Sequence, residues 1–185
     1  LADGTGMSSA AGNQLAKLAD NYLKIRSAPV GGITGSLAIN SGLTSTQITN
    51  LVSRIFTGSA FTGSTSVVID ASGMSDAQLS SVASSVTTLG DSVVDITDIT
   101  LTANQSSAEL ALLISATNAG EATVVATGMD SNDLNALGTN GAALGTVTGT
   151  VVIDSNTSSS AITALMDTSV SSGATVTVDP TGFNA

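Results

Sequence analysis

The sequence predicts an α/β fold in the form of a repeat solenoid, with a parallel sheet on one side and helices on the other. Runs with β-like alternation are followed by runs with helical spacing of apolar residues, and one seven-residue motif recurs at each change. Alternating strands and helices imply parallel strands joined by right-handed crossovers. Because each helix-like run carries a single apolar stripe, all helices can cover one sheet face. The rival is a doubly wound sheet with helices on both faces.

The recurring motif is a turn that ends a strand and starts a helix, and its clearest example runs from Gly73 to Leu79. It combines a residue that tolerates positive φ, an apolar residue, a helix N-cap, two free positions, a Gln or acid, and a second apolar residue. The five predicted structural turns begin at Gly42, Gly73, Asn104, Gly128 and Asn156. Their spacings of 31, 31, 24 and 28 residues predict strand–turn–helix units of about 24–31 residues, in a layout like that of leucine-rich repeats.

Residues 1–30 are predicted to form a helical cap or assembly segment. An amphipathic helix is expected from Gln14 to Arg26, and Pro29 with the following Gly31-Gly32 pair ends it. Because the first residue is Leu rather than Met, we expect the chain to be a mature or excised segment of something longer.

Residues 31–185 are predicted to form about five solenoid repeats followed by a terminal strand. Strands are expected at residues 33–40, 66–70, 96–102, 123–126, 150–154 and 174–179. A helix follows each of the first five strands, and the fourth helix is short because Gly138 and Gly141 interrupt it. A second repeated element precedes the strand cores and is expected to form corners or short leading strands, since Gly and Asp permit a bend. It occurs as Ile33-Thr34-Gly35, Phe61-Thr62-Gly63, Ile96-Thr97-Asp98 and Val147-Thr148-Gly149.

Composition and charge exclude several classes of function. The net charge is −10, and all four basic residues lie in the first 54 positions, so nucleic acid and anionic membrane surfaces are poor partners. No apolar run approaches the roughly 20 residues of a membrane span, which predicts no membrane insertion. The chain has neither Cys nor His, so disulfides, thiol chemistry and a Ser–His–Asp triad are ruled out. We therefore predict that the protein is not an enzyme.

Polar residues follow the strand cores, and they raise the question of a calcium site. In a solenoid, Asp154 and Asp179 would be adjacent carboxylates, which is unfavourable unless water or a cation lies between them. The sharper hypothesis is calcium held by Asp154, Asp179, Asp70 and loop carbonyls, because hard oxygen ligands suit that ion. The alternative is an exposed, hydrated strand end, which we favour because the sequence has no EF-hand loop. No other cofactor is expected.

The strand entry Ser64-Thr65-Ser66, the strand core Val67-Val68-Ile69-Asp70 and the turn from Gly73 to Leu79 resemble repeats in very large bacterial surface proteins. Those proteins, from marine and aquatic bacteria, are rich in Ser, Thr and Ala and free of Cys. The strand core returns as Val151-Val152-Ile153-Asp154, and the resemblance covers about residues 31–185. It implies an extracellular adhesin, surface-layer or filament component with no catalytic residues.

The resulting hypothesis is an extracellular or cell-surface structural protein that acts as a spacer or adhesive surface and can assemble into a filament or layer. Its expected partners are copies of itself or neighbouring repeats, because the ends of a solenoid expose sheet edges. The alternative is a binding module that uses the open sheet face for a glycan, a protein or calcium. An outward row of Val68, Val125 and Val152 favours that alternative, since exposed apolar residues need a cover.

Overall fold

A computed structural model describes residues 2–3, 16–17, 20, 33–34, 37–52, 67–90 and 94–183. The strands in this part of the chain are β1 (Ala2–Asp3), β2 (Ile33–Thr34), β3 (Leu37–Ile39), β4 (Val67–Asp70), β5 (Val94–Thr97), β6 (Ile99–Leu101), β7 (Ala122–Val125), β8 (Leu144–Thr148), β9 (Thr150–Ile153) and β10 (Thr175–Val178). The helices are α1 (Ser45–Asn50), α2 (Asp76–Leu89), α3 (Ser107–Ser115), α4 (Ser131–Leu137) and α5 (Ser159–Ser172), with a 3₁₀ helix at Gly138–Ala143.

The chain divides into two compact units, Leu1–Thr97 and Asp98–Ala185. The predicted boundary between residues 30 and 31 lies outside the described residues and stays a prediction. The helix predicted for residues 14–26 is described only at Ala16, Lys17 and Asp20, which are helical.

The first unit contains a three-stranded parallel sheet with the order β3-β4-β5, and β1 pairs with β2 in a separate parallel pair. Alternate residues of β4 and β5 are buried, because the side chains of a strand point to opposite faces in turn. Helix α1 packs against α2. The residues that fill this core are aliphatic: Ile39, Ile48, Leu51, Val67, Ile69, Leu79, Val82, Val86, Val94 and Ile96.

The second unit contains a three-stranded parallel sheet with the order β6-β7-β8 and a two-stranded parallel sheet of β9 and β10. Helix α3 packs against α4, and α5 packs against β8 and the 3₁₀ helix. As predicted, α4 ends at Leu137 immediately before Gly138. The core is again aliphatic: Ile99, Leu101, Leu110, Leu113, Ile114, Val124, Leu134, Leu137, Val147, Val151, Ile153 and Leu165.

The predicted α/β class is confirmed, since helices alternate with strands and all the described strand pairs are parallel. Single residues with positive φ stand at two of the expected corners, and the one at Asp98 divides the strand predicted at residues 96–102; the corners expected at Gly35 and Gly63 lie outside the described residues. Asp98, with φ of 52°, stands between β5 and β6, and Gly149, with φ of 78°, stands between β8 and β9. On either side of Gly149 the chain pairs with different neighbours, β7 before it and β10 after it. The sheets are therefore small.

The turns between strands and helices come in two lengths, which corrects part of the prediction. Three residues separate Asn40 from the N-cap Thr44, whereas four separate Asp70 from the N-cap Ser75. The longer turns place glycine at their third position with positive φ, 68° at Gly73 and 87° at Gly128.

The shorter turns need no left-handed residue, so the tolerance of positive φ at Gly42, Asn104 and Asn156 is not used. The physical reason is turn length, because the additional residue of a long turn is accommodated by a glycine with positive φ. In both kinds of turn the backbone N–H two residues after the strand end donates to the strand-end side chain, as Gly42 does to Asn40 Oδ1 at 2.9 Å and Ser72 does to Asp70 Oδ1 at 3.0 Å.

Candidate functional site

The polar residues at the strand ends form what we call the turn edge: Asn40, Asp70, Thr102, Asp154 and Asp179. Each accepts a hydrogen bond from the backbone N–H two residues later. The donors are Gly42, Ser72, Asn104, Asn156 and Thr181, at 2.9 to 3.1 Å. Such side-chain turns are the usual role of Asp, Asn and Thr in this position. Each of the five side chains of the turn edge thus stabilises the backbone of its own turn.

A second set of side chains starts the helices. The N-caps of α1 to α4 all form complete capping boxes, in which the N-cap side chain accepts the N–H three residues later and that residue's side chain accepts the N-cap N–H. The pairs are Thr44 with Gln47, Ser75 with Gln78, Ser106 with Glu109 and Asp130 with Asp133. Asp130 and Asp133 are therefore explained by helix initiation rather than by acid–base chemistry.

Helix α5 begins differently, because Ala161 stands where a capping box needs Gln or an acid. Ser158 Oγ still accepts from the Ala161 N–H at 3.2 Å, but the Ser158 N–H donates to Asn135 Oδ1 at 2.7 Å. Asn135 Nδ2 in turn donates to the Asn156 carbonyl at 3.0 Å. A side chain of α4 therefore completes the turn that leads into α5.

Asp154 and Asp179 both have hydrogen bonds that favour the charged carboxylate. The Asn156 N–H is the main reason that the pKa of the Asp154 carboxyl lies below its ordinary value, with further help from Thr157. The Thr181 N–H lowers the pKa of the Asp179 carboxyl in the same way. At neutral pH both carboxylates are ionised and partly exposed or exposed.

The three predicted calcium ligands are divided between the two units. Asp70 belongs to the first, whereas Asp154 and Asp179 belong to the second and follow the paired residues Ile153 and Val178. Among the described residues no group of three acidic side chains is placed to hold a metal ion. The turn hydrogen bonds account for these carboxylates without a cation, and calcium binding stays a prediction.

Strand β10 is the most exposed part of the second unit. In register it pairs Val176 with Val151 and Val178 with Ile153. Ile153 is 4% exposed, but Val178 is 61% exposed, although both lie on the same face of the sheet. Phe183, in the turn that follows β10, is 48% exposed. We call β10 and its turn, residues 175–183, the open edge.

The outer faces of the two sheets in the second unit carry hydroxyl groups and valines. Thr100, Thr123 and Thr146 lie opposite one another on β6, β7 and β8. Val152, on the sheet of β9 and β10, is 44% exposed, and Val125, on β7, is half-buried. Val68, the third member of the predicted valine row, belongs to the first unit and is also half-buried, so Val152 is the exposed member of the three.

A shallow hollow of about 350 Å³ lies beside the first turn and is lined by residues 41–45 with Ser75 and Gln78. Gln78 Nε2 reaches across it to the Leu43 carbonyl at 2.5 Å and the Ser41 carbonyl at 3.1 Å. None of the lining residues is titratable, so the hollow offers no acid, base or charged nucleophile. Its side chains join two successive turns.

Comparison with known proteins gives no match to a family model, to a curated protein or to a solved structure. In the described ranges, none of the helices combines the length and apolar character that a membrane span requires. The fold alone therefore defines the class, an α/β protein with small parallel sheets.

Sequence reasoning missed three polar side chains that tie neighbouring elements together. Asn135 bridges to the next turn, Asn140 Nδ2 donates to the Ile114 carbonyl at 2.9 Å, and Thr127 Oγ1 accepts from the Thr150 N–H at 3.2 Å. Their partners lie 21 to 26 positions away in sequence. The absence of Gln or an acid at Ala161 is the one signal that pointed to an outside partner for Ser158.

Proposed function

We propose that the protein is a non-catalytic structural or adhesive repeat protein of a bacterial surface, built as an α/β solenoid. In this proposal about five strand–turn–helix units stack with their sheet on one side and their helices on the other, in the manner of leucine-rich repeats. The observation that carries the proposal is the recurrence of one joint: the same strand-end hydrogen bond is repeated along the chain, and four of the helices that follow begin with the same capping box.

The use of the polar groups supports a structural role. The side chains best suited to chemistry, the acids Asp70, Asp130, Asp133 and Asp154, accept hydrogen bonds from backbone N–H groups in turns and at helix starts. An active site needs groups that are positioned but left available for substrate. No basic residue follows position 54 in the sequence, and the acidic surface that results suits an extracellular setting in salty water.

The test is antibody labelling of intact source cells. Antibodies raised against the purified chain should label unpermeabilised cells, and brief treatment of the cells with an external protease should remove the signal. An abundant cytoplasmic protein serves as the control and should stay unlabelled. Labelling that appears only after permeabilisation would rule out a surface role.

A binding module is the second candidate, and the exposure of Val152 on the outer sheet face favours it. Beside this valine the paired residue Thr177 adds a hydroxyl, so the face joins an apolar contact to a hydrogen-bonding group. A glycan array should then show binding that Val152→Asp abolishes and that the open-edge variant Val178→Asp leaves intact. Equal binding by all three proteins would reject this site.

A further inference from the structure

We propose that the open edge binds a second copy of this chain, head to tail, by adding a parallel strand to β10. This inference rests on the proposed function, because it names the surface through which copies of a structural protein join. The open edge consists of β10 and the turn Asp179–Phe183, and its occupant is the segment that begins with β1 of the next copy.

The backbone of β10 is half-satisfied within the described part of the chain. The N–H groups of Thr175 and Asp179 donate to the carbonyls of Gly149 and Ile153, at 3.0 and 2.8 Å. Because alternate residues of a strand bond to the same neighbour, the N–H groups of Val176 and Val178 point to the other side of β10. Strands β4 and β7 have partners on both sides, whereas β10 has β9 as its one partner among the residues that the structure describes. Such an edge is a template for another strand.

The side chains of the open edge repeat those that are buried elsewhere. In the long turn after β4, the Met74 N–H donates to the Ala71 carbonyl, and in the turn after β7 Met129 donates to Ala126. Phe183 makes the same bond to Pro180 at 3.3 Å. Met129 is only 6% exposed, but Phe183 is 48% exposed. The open edge therefore has the geometry of a joint whose apolar residues have no cover.

Successive turns also stack directly on one another, which shows that the natural neighbour of such a turn is another turn. A Cβ built on Gly128 would lie 3.6 Å from Ala103 Cβ, and one built on Gly182 would lie 2.6 Å from Ser155 Oγ. Each long turn thus rests on the turn that precedes it. In this proposal the opposite side of the turn Asp179–Phe183 receives a turn of the same kind from the next copy.

A second copy supplies a strand at its start. Within the described residues β1 pairs with β2 on one side, and in this proposal its other side meets β10 of the preceding copy. The sequence that follows its first residue, Asp3-Gly4-Thr5-Gly6-Met7, shares the pattern of Asp179-Pro180-Thr181-Gly182-Phe183. Both have Asp, then Thr and Gly, then an apolar residue.

Charge favours the same orientation. Residues 98–185 contain eight acidic residues and no basic one: Asp98, Glu109, Glu121, Asp130, Asp133, Asp154, Asp167 and Asp179. The first 54 residues, by contrast, contain all four basic residues, Lys17, Lys24, Arg26 and Arg54, and only two acidic ones, Asp3 and Asp20. Opposite charges across an interface select orientation and suppress other pairings. Since the two surfaces differ, each contact leaves one edge of each kind unused, and association can continue.

The experiment is sedimentation velocity on the full chain at concentrations up to about 0.1 mM, a range that detects micromolar affinity. The wild-type weight-average mass should rise above the 18.0 kDa of one chain. Val178→Lys, which places a charge on the open edge, and Ala2→Pro, which disrupts β1, should each stay monomeric. Val152→Lys, on the outer face of β9, is the matched control and should associate like the wild type.

Mixing the two monomeric variants gives the sharpest result. Val178→Lys keeps an intact β1, and Ala2→Pro keeps an intact open edge, so an equimolar mixture should form a heterodimer that grows no further. Circular dichroism establishes that each variant is folded. A monomeric wild type, unimpaired association of Val178→Lys, or a mixture that stays monomeric would each overturn the interface. A surface protein that sediments as a monomer would reject this interface while leaving the proposed function intact.

Discussion

Glycine at the third position of a long turn is required by backbone conformation rather than by space. Gly73 has φ of 68°, and the nearest atom to a Cβ built there is Ser41 Oγ at 4.0 Å. A side chain would therefore fit sterically against its neighbours, but a β-branched residue is strained at positive φ.

We expect Gly73→Val to lower the free energy of unfolding by about 1–2 kcal/mol, the cost of holding a residue with a Cβ in the left-handed region. Gly73→Asn is the matched control, because Asn enters that region more readily, and it should lose less. Urea denaturation measures both. Equal losses in the two variants would show that the cost comes from contacts rather than from φ.

Asp154 links a single carboxylate to the pH dependence of stability. Because the Asn156 N–H lowers the pKa of this carboxyl from 3.8 in the folded state, the ionised form stabilises the fold above the unfolded value. That contribution is lost as pH falls through the folded pKa, below 3.8.

Asp154→Asn keeps a side-chain oxygen for the turn, as Asn40 does naturally, but it does not titrate. The wild type should therefore be more stable than the variant at neutral pH, and the difference should shrink towards about pH 2.5. Denaturant titrations across this range measure it. If the difference in stability between the two proteins stayed constant down to that pH, the charge of Asp154 would not be its cause.

At the scale of elements, the helix starts were predictable because a capping box is a local pattern. Ser75 and Gln78 are three positions apart, so the sequence alone specifies both of their hydrogen bonds. The hydrogen bonds at the start of α5 were not predictable, since Asn135 lies 23 positions before Ser158 and belongs to another helix.

Replacing Asn135 by Ala should destabilise the protein by about 1 kcal/mol, because two backbone groups at the start of α5 lose their partner. The control is Asn132→Ala in the same helix, at an exposed position, which makes the same change in helix propensity. Thermal denaturation of the two variants separates the bridge from propensity. Similar midpoints would mean that water replaces the bridge at no cost.

Strand identity was largely readable from alternation, but strand pairing was not. A strand was predicted at residues 150–154 with a corner or short leading strand before it, whereas the structure has a separate five-residue strand, β8, ahead of Gly149. Which neighbours β8 and β9 pair with depends on contacts with β7 and β10, far along the chain. The same limit applies to the turn edge: its polar character was predicted, whereas the difference between long and short turns needed the backbone.

The molecule as a whole carries a charge of −10, and the unit Asp98–Ala185 has no basic residue. Like charges within one folded unit repel, and dissolved salt screens that repulsion. Repulsion between the acidic side chains therefore opposes the folded state most strongly at low salt concentration.

Raising sodium chloride to about 0.5 M should increase the melting temperature by several degrees through this screening. Calcium chloride at equal ionic strength provides the comparison. A larger increase with calcium, abolished by Asp154→Asn together with Asp179→Asn, would establish the predicted ion site, and identical increases would assign the whole effect to screening. A melting temperature that does not change with salt concentration would contradict the proposed repulsion between acidic side chains.

Gly149 alone links β8 to β9, so the number of residues between these two strands cannot change without changing which side chains face the core. Val147 and Val151 are both buried, with the glycine midway between them, so the count of residues keeps one set of side chains on the inner face. One inserted residue would turn Val151 and Ile153 outward and bring Val152 inward. The turns already occur with three or four residues and tolerate such a change. Insertions and deletions accumulated over evolution should therefore concentrate in the turns and be excluded at Gly149, because the spacing at this glycine determines which side chains of β9 face the core.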